Sequence, residues 1–541
     1  MVRESISEFN SMPENNHSAE RYWLIALVLV TATICFGSLN APLVEPTEAR
    51  YALIAADMLE NNSWFIPYLN GEPYLDKPPL LYWAIMSVYR LFGITDATAR
   101  LVPTICSLGT IIVSWFWLRT SAGNRAALLA TSVLVLSPRA MYYMEMVAMD
   151  APIGFAVAAT IASLHMALGR ERLAPLWLIS ATLATLVGVL SKGPVILVVT
   201  LVPAGLALLV THTRKRLVWL GIWFTAAILG SGLGFLWLER MSPGFCYHFL
   251  FRHNLERFAT PFDHEGPWWY HLPGTWLGAL PWTLLIPFVW LKNRAALSLS
   301  ASQTTIIWLS LSFLTGLIFF SIAGSKRASY CTAFLPQGCL ALGLFLDKYL
   351  PSGWSELSRR NSVGAAWLTW LGCAPVMALP IIGYILDWCS YQWIPIMVCI
   401  AVLGFAAAIV LGSRWDLGMA MAAIAVLFGQ TVLLSGHHEH FSPRKAIRWL
   451  SKHQPDAIFA CYPHAFESME FYVDNKELII FETGQEAELA DFLKQKPNAV
   501  LAAKGNKLPT ALTAAIEGTL KQATPFKATP WLMKLPEPSL P

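Results

Sequence analysis

The chain repeats apolar runs about as long as a bilayer is thick. The first, WLIALVLVTATICFGSLNAPLV (23–44), runs 22 residues without a charge. A helix rises 1.5 Å per residue, so about 20 such residues cross the hydrocarbon core. The pattern predicts about thirteen spans, near 22–40, 98–119, 124–142, 150–169, 173–190, 194–211, 217–238, 273–291, 304–323, 330–347, 363–386, 393–411 and 417–435. Pro138, Pro203 and Pro281 fall inside spans, where neighbouring helices can satisfy the freed backbone groups. Only 13% of residues are charged and mean hydropathy is +0.50, against roughly a quarter charged in soluble domains. The expected architecture is an all-α polytopic membrane protein.

Residues 1–21 are polar and acidic, with Glu4, Glu8, Glu14 and Glu20. They lack the basic start, short apolar core and small-residue cleavage site of a signal peptide, so the first run is expected to stay as an anchor. The nine cysteines are scattered with no paired spacing and read as apolar fillers. A net charge of +4 is too small to call for nucleic acid.

Basic residues in short loops set orientation. With the N-terminus inside, the inner loops are SAGNR (121–125), GRERL (169–173), THTRKR (211–216), LKNR (291–294), SELSRRN (355–361) and GSRW (412–415), and every one is basic. The outer segments, including a first loop over 41–97 and a second over 239–272, hold the unusual charges. Ionisable groups at membrane depth are costly and functional by default, so the expectation is one outward-facing cavity. Within the first loop, Tyr51, Ile54, Ala55, Met58 and Leu59 share a helical face, which predicts an interfacial helix over 48–62. PPLLYWAIMSVYRLFG (78–93) predicts a second, opening on proline. After 435 ordinary polarity returns, with AIFACY (457–462), ELIIF (477–481) and NAVLAAK (498–504) alternating with helical stretches. The expectation for 436–541 is a small α/β domain on the outer side.

Four outer stretches carry candidate chemistry. In DKPP (76–79), Lys77 is held between Asp76 and two prolines, flanked by Tyr74 and Tyr82. A fixed ammonium suits a lipid phosphate, and a snorkelling anchor is the plainer alternative. Asp150 opens an apolar span, as chemistry or as a helix-start acid. SKGP (191–194) directs Lys192 from a tight turn, and SKRASY (325–330) adds Lys326, Arg327 and Tyr330, so several cations share a face with carboxylates and suit a phosphate or diphosphate. In FRHNLERFATPFDHEG (251–266), His253 and His264 with Asp76 or Glu48 can supply mixed N/O ligation for a divalent metal, zinc or manganese. No ligand spacing enforces it. HHEH (437–440) lacks helical metal-site spacing and reads as a solvated junction.

EPTEARYALIAADML, LNGEPYLDKPPLLYW, VAMDAPI, LSKGP and HNLERF, in that order over roughly 40–335, resemble the bacterial protein-mannosyltransferase-like superfamily of integral membrane glycosyltransferases. Within it they are nearest to the branch that puts aminoarabinose on lipid A. The resemblance implies the GT-C architecture and an inverting transfer from a polyprenyl (undecaprenyl) phosphate sugar to an acceptor outside the inner membrane, either lipid A, another glycan or protein. Matched by position, the acidic motif falls on Thr47-Glu48, with Arg50 after it. The motif lysines fall on Lys77 and Lys192, the acid on Asp150, the histidine on His253 and the tyrosine on Tyr330. The family has Asp-Glu where this chain has Thr47-Glu48. Glu48 or Glu45 replaces the lost carboxylate, or Asp150 acts alone. A lipid-linked sugar transporter would carry internal repeats and midplane charges, and the chain shows neither. A monomer is expected.

Overall fold

The computed structural model describes residues 14–170, 173–256, 265–286, 301–349, 363–411, 415–473, 478–496, 498–504 and 531–532. The elements run α1 (Glu14–Gly37), α2 (Thr47–Glu60), β1 (Tyr68–Leu69), β2 (Glu72–Pro73), α3 (Leu80–Phe92), α4 (Asp96–Ala122), α5 (Asn124–Val135), α6 (Pro138–Glu145), α7 (Asp150–Leu168), α8 (Leu176–Lys192), α9 (Val195–Val210) and α10 (Leu217–Met241). A π-helical stretch, Tyr247–Glu256, precedes α11 (His271–Gly278), α12 (Ala301–Ile322), α13 (Leu335–Tyr349), α14 (Val363–Ile385), α15 (Trp393–Leu411), α16 (Trp415–Phe428) and α17 (Leu434–Phe441). The C-terminal part holds α18 (Arg444–His453), β3 (Ile458–Tyr462), α19 (Glu467–Val473), β4 (Leu478–Ile480), α20 (Glu486–Gln495), β5 (Ala499–Lys504) and β6 (Trp531–Leu532).

The central strut is α7. It is apolar all round and nearly every side chain on it is buried, as expected of a helix enclosed by others. It packs against α4, α8, α9 and α12, and its N-terminal residue is Asp150, so the first polar group at the end of the bundle core is a carboxylate. Both helices expected in the first loop form. α2 buries Tyr51, Ile54, Ala55 and Met58 as its spacing predicts, and α3 starts directly after Pro78-Pro79 and ends at Gly93, φ +84°. α4 is capped reciprocally by Thr95 and Thr98 at 3.1 and 2.9 Å, the double hydrogen bond of a capping box.

Three spans differ from expectation, and in the one expected over 330–347 a 3₁₀ turn, Ala328–Ala333, follows α12 before α13 starts at Leu335. Residues 124–142 fold as α5 and α6 meeting at 70°. Pro138 at the first turn of α6 has no N–H to continue α5, so the chain turns there. The span expected over 273–291 is broken in its described part into α11 and a 3₁₀ turn, Trp282–Leu285, with Gly278 and Pro281 at the break. Among the described residues six helices are long and apolar enough to cross a membrane, seven with the bent pair, and others such as α3, α8 and α9 are shorter. The chain has a multi-pass membrane-protein fold.

In the C-terminal part, β3 and β5 pair in parallel, β3 and β4 likewise, and β6 runs antiparallel to β5, giving the order β4-β3-β5-β6. The helices α19 and α20 supply the crossovers that parallel strands require. Phe459, Phe466, Met469 and Val500 fill one side of the sheet and Leu489, Leu493 and Leu501 the other.

Candidate functional site

The turn between α8 and α9 aims Lys192 at the start of α7, where Nζ lies 2.5 Å from Asp150 Oδ1. The turn depends on Gly193, whose φ is +101°. A Cβ there would meet Phe249 at 2.7 Å, so glycine serves both the left-handed backbone and the close packing of the 247–256 segment. Lys192 also stands 5.0 Å over the ring of Tyr330, a cation–π distance. Three residues matched by the motifs are thus one constellation, assembled from three separate parts of the chain.

The first loop supplies the facing wall. Tyr51 is 6% exposed. Burial pushes its phenol up to about 12, and Asp150, Arg327, Arg50 and Asp76 all act on it electrostatically. It therefore sits between the Asp150 cluster and the DKPP turn. There, His248 Nε2 and His253 Nε2 lie 3.1 and 2.9 Å from the same Asp76 Oδ1. Burial alone would raise the Asp76 carboxyl, but His253, His248 and Lys77 outweigh it and hold it well below the usual carboxylate range. The ligand atoms of Asp76, His248 and His253 lie within 4.8 Å of one another. Two imidazole nitrogens and a carboxylate oxygen make a donor set that fits zinc or manganese. Lys77 Nζ donates to the Asp76 carbonyl at 2.9 Å, which folds the ammonium back along its own turn.

Several expected site residues are engaged elsewhere. Glu48 is completely buried. Its Oε2 lies 2.6 Å from Arg100 Nη2 and accepts from the Val44 amide at 3.0 Å. Its Oε1 accepts from Arg100 Nε at 3.2 Å and from the Val147 amide at 3.0 Å. Burial opposes ionisation, but Arg100, His438 and these bonds leave the carboxyl lowered. The carboxylate expected to be catalytic is thus enclosed by these donors, with no exposed surface. Glu45 Oε2 accepts from the Ser468 amide on α19 at 2.7 Å and so faces the C-terminal part instead of the cluster. Lys326, expected to bind substrate, is 5% exposed. Its Nζ donates to the carbonyls of Phe320 at 3.3 Å, Ser321 at 2.7 Å and Ala323, closing the C-terminus of α12. Tyr82 is fully buried beside Tyr51, ring centroids 6.1 Å apart, and belongs to the core of the loop. Arg50 pairs with Glu467 on α19 at 2.6 Å, acts electrostatically on Tyr74 and keeps part of its side chain exposed. His264 lies outside the described residues.

His248, Arg100 and Glu467 were not anticipated. His248 sits five residues before His253, a spacing that becomes meaningful only on the π-helical stretch. Arg100 and Glu467 show their roles only through partners 52 and 417 residues away.

The fold and these motifs define a class, the GT-C membrane proteins. Residues 76–233 match the dolichyl-phosphate-mannose-protein mannosyltransferase family. Undecaprenyl phosphate-alpha-4-amino-4-deoxy-L-arabinose arabinosyl transferase of Yersinia enterocolitica is 29% identical over 339 residues, 60% of this chain and 58% of that protein. Its namesake 1 of Sodalis glossinidius is 30% identical over 321 residues, 56% of this chain and 54% of that protein. The matched segment thus spans under two thirds of the length of either relative. The crystal structure of ArnT from Cupriavidus metallidurans bound to undecaprenyl phosphate superposes with a TM-score of 0.69 over 92% of this chain and 95% of that one, at 22% identity. The chain therefore has the GT-C fold of that structure, and within it residues 76–233 are similar to the mannosyltransferase family.

Proposed function

We propose that the protein transfers a sugar, in the manner its relatives' names describe, from undecaprenyl phosphate to an acceptor on the extracytoplasmic face of the inner membrane. Lipid A is the favoured acceptor. The observation that carries this reading is the Asp150–Lys192 ion pair on Tyr330, with the phenol of Tyr51 under the field of both Asp150 and Asp76. A carboxylate and an ammonium in contact at the mouth of an apolar bundle suit a reaction in which an anionic phosphate leaves and positive charge develops on a sugar.

In this reading Lys192 and Lys77 meet the donor phosphate, with Arg327 close by. The acceptor oxygen attacks the anomeric carbon from the opposite side, the bond from that carbon to the phosphate oxygen breaks, and the phosphate departs with the electron pair. Asp150 stabilises the oxocarbenium-like charge, and takes the acceptor proton where the acceptor is a hydroxyl. A lipid A phosphate is already ionised and needs no base, which fits a chain with Thr47 in place of the family's leading aspartate. Asp76, His248 and His253 would hold a divalent cation, which when bound supplies a Lewis acid for the departing phosphate.

The outward placement of the site follows from the basic inner loops, and with it the outer location of residues 436–541. The test is purified protein in lipid nanodiscs with a panel of undecaprenyl-phosphate sugars and acceptors, lipid A among them, read by mass spectrometry. Sugar on lipid A supports the reading. Transfer only to a peptide or polysaccharide moves the acceptor, and no transfer from any donor overturns it.

A further inference from the structure

We propose that Glu467, from the C-terminal part, is a positioning residue that fixes Arg50 on the wall of the site. The helix α19 packs directly on α2. Glu467 Oε1 lies 2.7 Å from Arg50 Nε and 2.6 Å from Nη2, a two-pronged contact on one oxygen. The Arg50 side chain is 32% exposed and that of Glu467 only 9%. The carboxylate is therefore the fixed member, and the guanidinium keeps an open edge. Arg50 in turn acts electrostatically on Tyr74, which lies two residues before Asp76. Glu467, Arg50 and Tyr74 form one line from the C-terminal helix to the turn that carries Asp76 and Lys77.

Arginine holds a planar fork whose direction is set by whatever it binds first. Without Glu467 the long Arg50 side chain would sample many rotamers. With Glu467 it is presented in one orientation, on the residue directly before Tyr51. The neighbouring contacts have another purpose. The Ser468 amide donates to Glu45, Tyr472 accepts from the Leu43 amide at 2.7 Å and donates to Asp96, and Arg444 Nη1 lies 2.9 Å from Asp96 Oδ2. These hold the helix to the base of the first loop and touch neither Arg50 nor Tyr74. The inference separates two roles within one helix, docking by Tyr472 and aiming by Glu467.

The ligand in the test comes from the donor reading above. Undecaprenyl phosphate binding to the full chain in nanodiscs is measured directly, beside the melting temperature and the split between kcat and donor KM. Glu467→Gln keeps the shape and removes the charge. It is expected to raise donor Kd and KM about tenfold, within the range of one charge-assisted hydrogen bond, with kcat and melting temperature little changed. Glu467→Asp, which keeps the charge, should recover part of the affinity. Tyr472→Phe should lower the melting temperature and leave donor KM alone. Glu467→Gln with parental donor affinity overturns the inference, as does loss of stability and affinity together in both variants. If the parent binds no undecaprenyl phosphate, the donor reading fails. The tie is then judged by hydrogen exchange at residues 47–53, which must speed up in Glu467→Gln, and unchanged exchange overturns it.

Discussion

Lys192 Nζ touches Asp150 Oδ1 at 2.5 Å while standing 5.0 Å over the Tyr330 ring. A single ammonium thus links the start of the central helix α7 to the 3₁₀ turn after α12. An ammonium has three N–H donors, so one that pairs with Asp150 can also offer a donor to an anion.

Asp150→Asn keeps the shape and removes the charge. Turnover should fall at least tenfold on the roughly 10²–10⁴-fold scale of general-base assistance, with the melting temperature close to parental. Parental turnover in Asp150→Asn rules out the assigned role. Lys192→Ala should instead weaken undecaprenyl phosphate binding, by about 1.5–3 kcal/mol if the ammonium makes one charge-assisted bond to the phosphate.

The Asp76–His248–His253 group makes a prediction about composition. Protein purified without added chelator should contain about one zinc or manganese per chain by elemental analysis, the number one such donor set holds. His248→Ala and His253→Ala should each lose most of it. Metal content unchanged in both variants means the ion sits elsewhere.

Glu48 and Arg100 give a stability prediction. Removing one member of a buried ion pair leaves the other charged and unpaired, at a cost of about 3–5 kcal/mol. Arg100→Leu should therefore lower the melting temperature sharply, and Glu48→Gln should do so less, because the amide oxygen can still accept from one of the Val147 and Val44 amides. A Glu48→Gln protein with parental stability and no turnover would return Glu48 to the reaction.

Much of the fold was legible because membrane spans are written as continuous apolar runs, the buried face of α2 follows from its spacing, and the start of α3 follows from Pro78-Pro79. The broken 273–291 run was not. Gly278 and Pro281 are tolerated inside many membrane helices, and only the packing around them decides whether the helix continues. At the site, Asp150, Lys192 and Tyr330 carried motif signals and came together. Glu48, Lys326 and Tyr82 carried equal signals but are buried in structural contacts. A sequence shows which residues can ionise near a membrane surface, but it does not show which of them another residue has already neutralised. Arg100 does that for Glu48, and the carbonyls at the end of α12 do it for Lys326.

The contact between α19 and the first loop carries a pH dependence of its own. Burial, and then Glu467, raise the Glu45 carboxyl to about 8. Burial, Glu467 and Asp57 raise Glu470 to about 7. Glu467 is lowered, because Glu45 and Arg50 outweigh its burial. Arg50 and Tyr74, which also face the cluster, stay in one protonation state through neutrality. An acid raised on folding holds its proton more tightly folded than unfolded, so its contribution to stability is complete below the ordinary carboxylate value. It declines as pH rises from there toward about 8 for Glu45 and about 7 for Glu470. Glu467 acts in the opposite sense, but only below the ordinary value, outside that window. Other groups titrate over the same range, so the informative quantity is the difference in melting temperature between variant and parent. For Glu45→Gln, which retains an acceptor for the Ser468 amide, this difference should become steadily more favourable from the ordinary carboxylate value of 4.5 up to about 8 and then level off. Adding Glu470→Gln should enlarge the trend. A difference that is flat across the window would mean that Glu45 is ionised in the folded protein and that the α19 contact holds no proton there.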